Sequence, residues 1–174
     1  MKKNKLLIFL LVSFIVVLIV LGILFATGKL STKSEPKKEN ISWTWPTESE
    51  HYIVVLNYGK YEAWGNEEWS PGIDIARGEG TNIYAAYDGK VVIKESDDSY
   101  GNYIMIDHNN GYYTLYAYLK DFAPGIEEGT IVQKGQVIGY MGSTGWATGI
   151  YLHFEVRTCP EQNCTVDPMT LFNE

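Results

Sequence analysis

Few side chains in this chain can do acid–base or metal chemistry near neutral pH. There are three histidines, His51, His108 and His153, and two cysteines, Cys159 and Cys164, in 174 residues. His153 lies in Leu152–Arg157, where Leu, Phe and Val alternate with His, Glu and Arg. A strand there has one apolar and one polar face, with His153 and Glu155 on the same side. An imidazole can move protons near neutral pH or ligate a metal through a ring nitrogen. His108, in Ile-Asp-His-Asn-Asn-Gly, falls at a strand end where a turn role is expected, and His51 precedes Tyr52–Leu56 at a surface position. Cys159 and Cys164 flank Pro-Glu-Gln-Asn. Half a zinc site would need two more Cys or His nearby and none is present, so a local disulfide is expected if the domain is exported.

The elements that must position these residues are strands. Asn82–Tyr87, the turn signal Asp88-Gly89 and Lys90–Lys94 predict a hairpin. Asn102–Asp107 leads through Asn109-Asn110-Gly111 into Tyr112–Leu119, a second hairpin, and Lys134-Gly135 breaks Ile131–Tyr140 into two short strands. No segment after residue 40 keeps a helical period. The expectation is an antiparallel all-β domain over 41–174.

What precedes it reads differently. Leu6–Ala26 is an uncharged apolar run of 21 residues behind Lys2, Lys3 and Lys5. That is long enough to span a hydrocarbon core of about 30 Å as a helix, and the basic flank favours an inside N-terminus. The run is too long for the core of a cleaved signal peptide. Residues 1–5 are then a cytoplasmic tail, 6–26 a transmembrane helix and 27–40 a flexible polar tether. Seven of the 14 basic residues lie in 1–39 beside Glu35 and Glu39, which leaves 7 basic and 19 acidic residues in 40–174. Such a domain repels phosphate backbones, which excludes nucleic acid as a partner.

A run of motifs in order resembles the LytM/lysostaphin-type peptidoglycan endopeptidase domain over about residues 43–173. They are Gly72-Ile73-Asp74-Ile75-Ala76, Ile83-Tyr84-Ala85-Ala86 with Asp88-Gly89-Lys90-Val91, Gly101-Asn102-Tyr103-Ile104, and Ile106-Asp107-His108. Gly111-Tyr112-Tyr113-Thr114-Leu115-Tyr116-Ala117, Lys134-Gly135-Gln136-Val137-Ile138-Gly139 and Met141-Gly142-Ser143-Thr144-Gly145 follow, then Leu152-His153-Phe154-Glu155-Val156 and Asp167-Pro168. The resemblance implies an antiparallel β groove walled by loops. It also implies zinc held by a His and an Asp of H-x-G-x-D and by the second His of H-x-H. The first His of H-x-H and the His of an L-Y-A-H-L-like strand would serve catalysis. Three such ligands leave a tetrahedral position for a water whose pKa the metal lowers toward about 7.

Three of these five positions differ here. Ser70 stands at the first metal position, Tyr118 in Leu115-Tyr116-Ala117-Tyr118-Leu119 replaces one catalytic His, and Tyr151 replaces the other. Asp74 and His153 keep their metal positions and could instead hydrogen-bond each other. A serine hydroxyl is a poor zinc ligand, and a phenol with a reference pKa near 10 is a poor base at neutral pH. Hydrolysis by the family mechanism is not expected and no cofactor is. Zinc returns only if Glu67 or Glu68, just before Ser70, rebuilds the site.

Tyr118 and Tyr151 should then face each other across the old site, with Trp146 in the Gly142–Gly149 loop nearby. Tyr113 and Tyr116 either add to this wall or belong to the core. Trp43, Trp45 and Pro46 are expected to pack on the domain edge, and Trp64 and Trp69 to sit in an insertion-like loop, Tyr61–Trp69, at the cleft mouth. The resemblance thus points to a single-pass protein of a bacterial cell membrane with its domain outside. Its partner is peptidoglycan or an envelope protein, in binding, in control of another wall hydrolase, or in a morphogenetic or sporulation complex. The alternatives are an active zinc endopeptidase with an atypical ligand set and a structural oligomerising module.

Overall fold

A computed structural model of the chain describes residues 42–172. The expected tail, membrane span and tether all lie outside them. Among the described residues no helix is long and apolar enough to cross a membrane.

The fold is antiparallel β. Its strands are β1 (Ile53–Leu56), β2 (Gly59–Ala63), β3 (Asn66–Ser70), β4 (Ile73–Ala76), β5 (Asn82–Tyr84), β6 (Gly89–Asp97), β7 (Gly101–Asp107), β8 (Tyr113–Phe122), β9 (Ile131–Val132), β10 (Val137–Met141), β11 (Tyr151–Arg157) and β12 (Thr165–Val166). Ten of them form one sheet along the path β1-β4-β11-β8-β7-β6-β9, with β10 joining β5 to β8 and β12 beside β11; β2 and β3 pair separately. Alternation along each strand sorts the side chains. Ile73 and Ile75, Leu152, Phe154 and Val156, Tyr116, and Ile104 and Ile106 enter one core. Tyr103, Met105, Leu115 and Ala117 pack on the opposite face, the side of Asp74, His153 and Glu155.

Two expectations need correcting. The hairpin of Asn82–Tyr87 with Lys90–Lys94 does not form: β5 ends at Tyr84 and pairs with β10, while β6 pairs with β7 and β9. The Asp88-Gly89 turn is committed elsewhere, for the Asp88 side chain accepts from Lys134 N–H at 2.7 Å and its carbonyl from His108 at 2.8 Å. Likewise Tyr61–Trp69 is no loop. Its residues form most of the β2–β3 hairpin, paired from Gly59↔Ser70 to Ala63↔Asn66. The β7–β8 hairpin and the break at Lys134-Gly135 are present as expected.

Trp43 packs against Tyr87, His108 and Tyr112, and Trp45 against Tyr52 and Phe172, closing one side of the core. Beneath Trp43 runs a buried polar chain. The Tyr116 hydroxyl accepts from Ala86 N–H at 2.8 Å and lies 2.9 Å from Thr114 Oγ1, which is 2.7 Å from His108 Nε2. His108 Nδ1 donates to the Asp88 carbonyl, and Thr114 Oγ1 donates to the Tyr116 hydroxyl. Burial pushes the His108 pKa down, against the pull of the Asp88 carbonyl. The unfolded chain therefore takes up this proton first, and stability falls as pH drops below about 6.5. Urea denaturation at pH 6.5 and pH 5 should show this loss, and His108→Gln should flatten it.

Candidate functional site

The site is built where β4, β11 and β8 lie side by side. In the register His153 is opposite Asp74 on one side and Ala117 on the other. This close packing needs Gly72, because a methyl there would run into the Phe154 carbonyl. Ser70 is buried just before it, and its hydroxyl donates to the Gly72 carbonyl at 2.8 Å.

Four charged side chains follow in alternating sign. His153 Nδ1 is 2.6 Å from Asp74 Oδ1 and its Nε2 is 3.1 Å from Glu155 Oε1. The second Glu155 oxygen accepts from Arg157 Nε at 2.6 Å. Arg157 also donates to the Pro160 carbonyl at 2.8 Å and to the Tyr100 hydroxyl at 3.0 Å. The Tyr100 hydroxyl in turn donates to Glu155 at 2.8 Å. All four charged residues are buried, Glu155 completely. Burial alone would lower the His153 pKa, but the bonds to Asp74 and Glu155 outweigh it and raise it to about 9. Burial likewise works to raise Glu155, and its bonds from His153 and Arg157 turn the net shift downward. Both ring nitrogens of His153 thus lie against carboxylates, an arrangement that favours the imidazolium.

The two tyrosines stand over this chain. Tyr118 lies 5.5 Å from Tyr151 and 5.4 Å from His153, ring centre to ring centre. A bulge puts it there. Ile104 pairs with Tyr116 and Asn102 with Leu119, so β8 spends one more residue than β7 over this stretch, and Tyr118 takes the left-handed conformation at φ 64°. Ala117 and Tyr118 both pack on the site's face, while Leu119 returns to the core. Burial, and then the charge of Asp74, push the Tyr118 pKa up, which keeps its phenol protonated. Tyr151 is tied to its own loop, its hydroxyl accepting from Thr148 N–H at 2.8 Å. Trp146, on that loop, is 73% exposed, and the loop is pinned by Trp146 N–H to the Ser99 carbonyl at 3.0 Å and by Thr144 Oγ1 to the Leu119 carbonyl at 2.9 Å.

Other candidates fall outside. Tyr116 is a core residue, because β8 alternation turns it away from the site, and Tyr113 packs with the cluster around Met105. His108 belongs to the buried chain described above, and His51 is exposed. Glu67 is exposed and paired with Lys60 at 2.7 Å, and Glu68 is exposed on the same hairpin. Cys159 and Cys164 are joined by a disulfide. Sequence reasoning put Glu155 beside His153 but did not see that Arg157 and Tyr100 complete the chain. The same alternation in Leu152–Arg157 carried the Arg157 signal, whereas nothing local marked Tyr100.

The zinc that the fold implies can be tested against these donors. Ser70 offers a hydroxyl already donated to backbone, which leaves one carboxylate and one imidazole where three ligands are needed. Among the described residues the His, Cys, Asp and Glu trio close enough to share an ion is Cys159, Glu161 and Cys164, two of which are spent in the disulfide. This donor set at Asp74 and His153 does not fit a zinc ion.

The fold, the H-x-G-x-D-like corner at Ser70–Asp74 and the strand carrying His153 define a peptidase-type β groove. The model of peptidase family M23 matches residues 68–168, and the chain belongs to that family. Its antiparallel sheet is of the LytM/lysostaphin type. It is 48% identical over 86 residues to the DD-carboxypeptidase/endopeptidase Mpg of Neisseria meningitidis, a match covering 49% of this chain and 19% of Mpg. It is 40% identical over 117 residues to the murein hydrolase activator NlpD of Escherichia coli, covering 67% of this chain and 28% of NlpD. The chain thus spans under a third of the length of either relative. Among solved structures, the SpoIIQ–SpoIIIAH pore-forming complex superposes with a TM-score of 0.65 at 25% identity, covering 76% of this chain and 92% of that one.

Two outcomes follow from the charge chain. Glu155→Gln leaves His153 and Arg157 without their shared counter-charge and should cost about 3–5 kcal/mol in urea denaturation. With a folded pKa of about 9 against an unfolded value near 6.5, His153 contributes stability in full below pH 6.5 and loses it as pH rises through 9. Denaturation at pH 6.5 and 9.5 should show a loss of up to about 3 kcal/mol, absent in His153→Gln.

Proposed function

We propose that this protein is a non-catalytic M23 domain of the bacterial cell envelope, anchored by residues 6–26 with the domain outside. Its groove binds the peptide part of peptidoglycan, and the domain acts by presenting that contact to a partner or to a wall hydrolase. The observation that carries the reading is His153, whose two nitrogens are both engaged by carboxylates, at 2.6 Å and 3.1 Å. With the Ser70 hydroxyl spent on backbone beside it, one carboxylate and one imidazole remain where three zinc ligands would be needed. The aromatic body and polar tip of Tyr118 suit a peptide backbone. A hydrolase activator among the relatives, and a structural neighbour solved within a two-protein complex, support a role through contact.

A second reading has one observation in its favour. Asp74 and His153 remain adjacent, and Mpg is by name a peptidase. The full-length protein in detergent separates the two. Zinc well below one per chain, uncut muropeptides, and muropeptide binding at least about tenfold weaker in Tyr118→Ala with Tyr151→Ala are expected. Stoichiometric zinc with cleavage abolished by Asp74→Ala would establish the enzyme instead.

A further inference from the structure

The β2–β3 hairpin holds two features that work against its own folding. Its turn places Trp64 and Gly65 at φ 50° and 82°, the type I′ geometry that favours Asn-Gly. A tryptophan in the left-handed region is strained by its Cβ, and this one is 90% exposed, so it recovers nothing by burial. In addition, Glu62 lies directly opposite Glu67 across the hairpin, a repulsive pair. Lys60 answers Glu67 at 2.7 Å, which leaves Glu62 and Glu68 without an ion-pair partner among the described residues.

The base of the hairpin is well held. Tyr58 donates to the Thr165 carbonyl at 3.1 Å and packs edge-on against Trp69 at 5.4 Å. The exposed tip is therefore presented on a fixed stem. Its chemistry is an apolar ring set among carboxylates, on a domain with 7 basic and 19 acidic residues over 40–174.

We infer that the Trp64 tip is an anchor for a partner protein, seated in an apolar socket rimmed by Lys or Arg. A buried Trp is a frequent binding hot spot, and charge around it steers the encounter. The same carboxylates disfavour an anionic lipid surface, and the net charge disfavours a second copy of this chain. The Trp64 tip belongs to the hairpin whose Tyr61 lies within electrostatic reach of Tyr118, and it adds a protein partner to the peptide contact proposed above.

The test uses the full-length protein in cells with the photo-crosslinker benzoylphenylalanine at position 64. The expected result is an adduct with a protein whose mapped crosslink lies among apolar side chains flanked by Lys or Arg. Its yield should fall at least about tenfold with Glu62→Lys plus Glu68→Lys. Trp64→Asn, with the crosslinker moved to position 66, relieves the turn and should raise Tm by a few degrees, so that loss of the adduct in this variant is not unfolding. A lipid adduct, an adduct with a second copy, no adduct, or a protein adduct indifferent to charge reversal each overturns the inference. Tyr118→Ala with Tyr151→Ala distinguishes the two readings, since it should weaken muropeptide binding at least about tenfold and leave the adduct intact.

Discussion

The alternation of Asp74, His153, Glu155 and Arg157 is the constraint on which the site depends. Four buried charges at this spacing are tolerable only together, because each carboxylate is answered by a cation and each cation by a carboxylate. The arrangement sits across β4 and β11 and sets their register as firmly as the ladder does, since a slip of one residue would turn His153 into the core. It also fixes the protonation state of the imidazole. What the fold family uses as a ligand is here one member of a closed electrostatic chain.

Around that chain the protein keeps the family scaffold and changes its reactive surface. Gly72 still allows β4 to approach the Phe154 carbonyl. Two residues before it, Ser70 holds a hydroxyl satisfied by backbone, and the two positions that would carry catalytic imidazoles carry phenols. One of these, Tyr151, braces the Thr148 loop. The other, Tyr118, stays half-buried against His153 and the Tyr151 ring. The site has become a set of hydrogen-bonding aromatics over a neutralised floor.

Much of this was legible beforehand, and the misses have physical causes. The period of two in Leu152–Arg157 gave the strand and its faces. The order of glycine and aspartate motifs gave the sheet. Asp88-Gly89 misled because hairpin chemistry is local while its partners, Lys134 and His108, come from afar. Trp64-Gly65 escaped notice as a turn because a bulky residue is seldom placed at positive φ. Tyr116 was undecided between groove and core because alternation fixes relative faces, not which face is inward. The Tyr100 link to Arg157 spans 57 positions, and no pattern in either segment announces it.

The extra residue in β8 gives that strand two reading frames. Ahead of Tyr118 the even-numbered Thr114 and Tyr116 serve the interior, and beyond it the odd-numbered Leu119 does. A single deletion at this point would merge the frames, swing the downstream side chains to the wrong surface and take the phenol away from His153 at one stroke. The groove's aromatic ceiling and the integrity of the core therefore share one insertion, so neither can drift without the other.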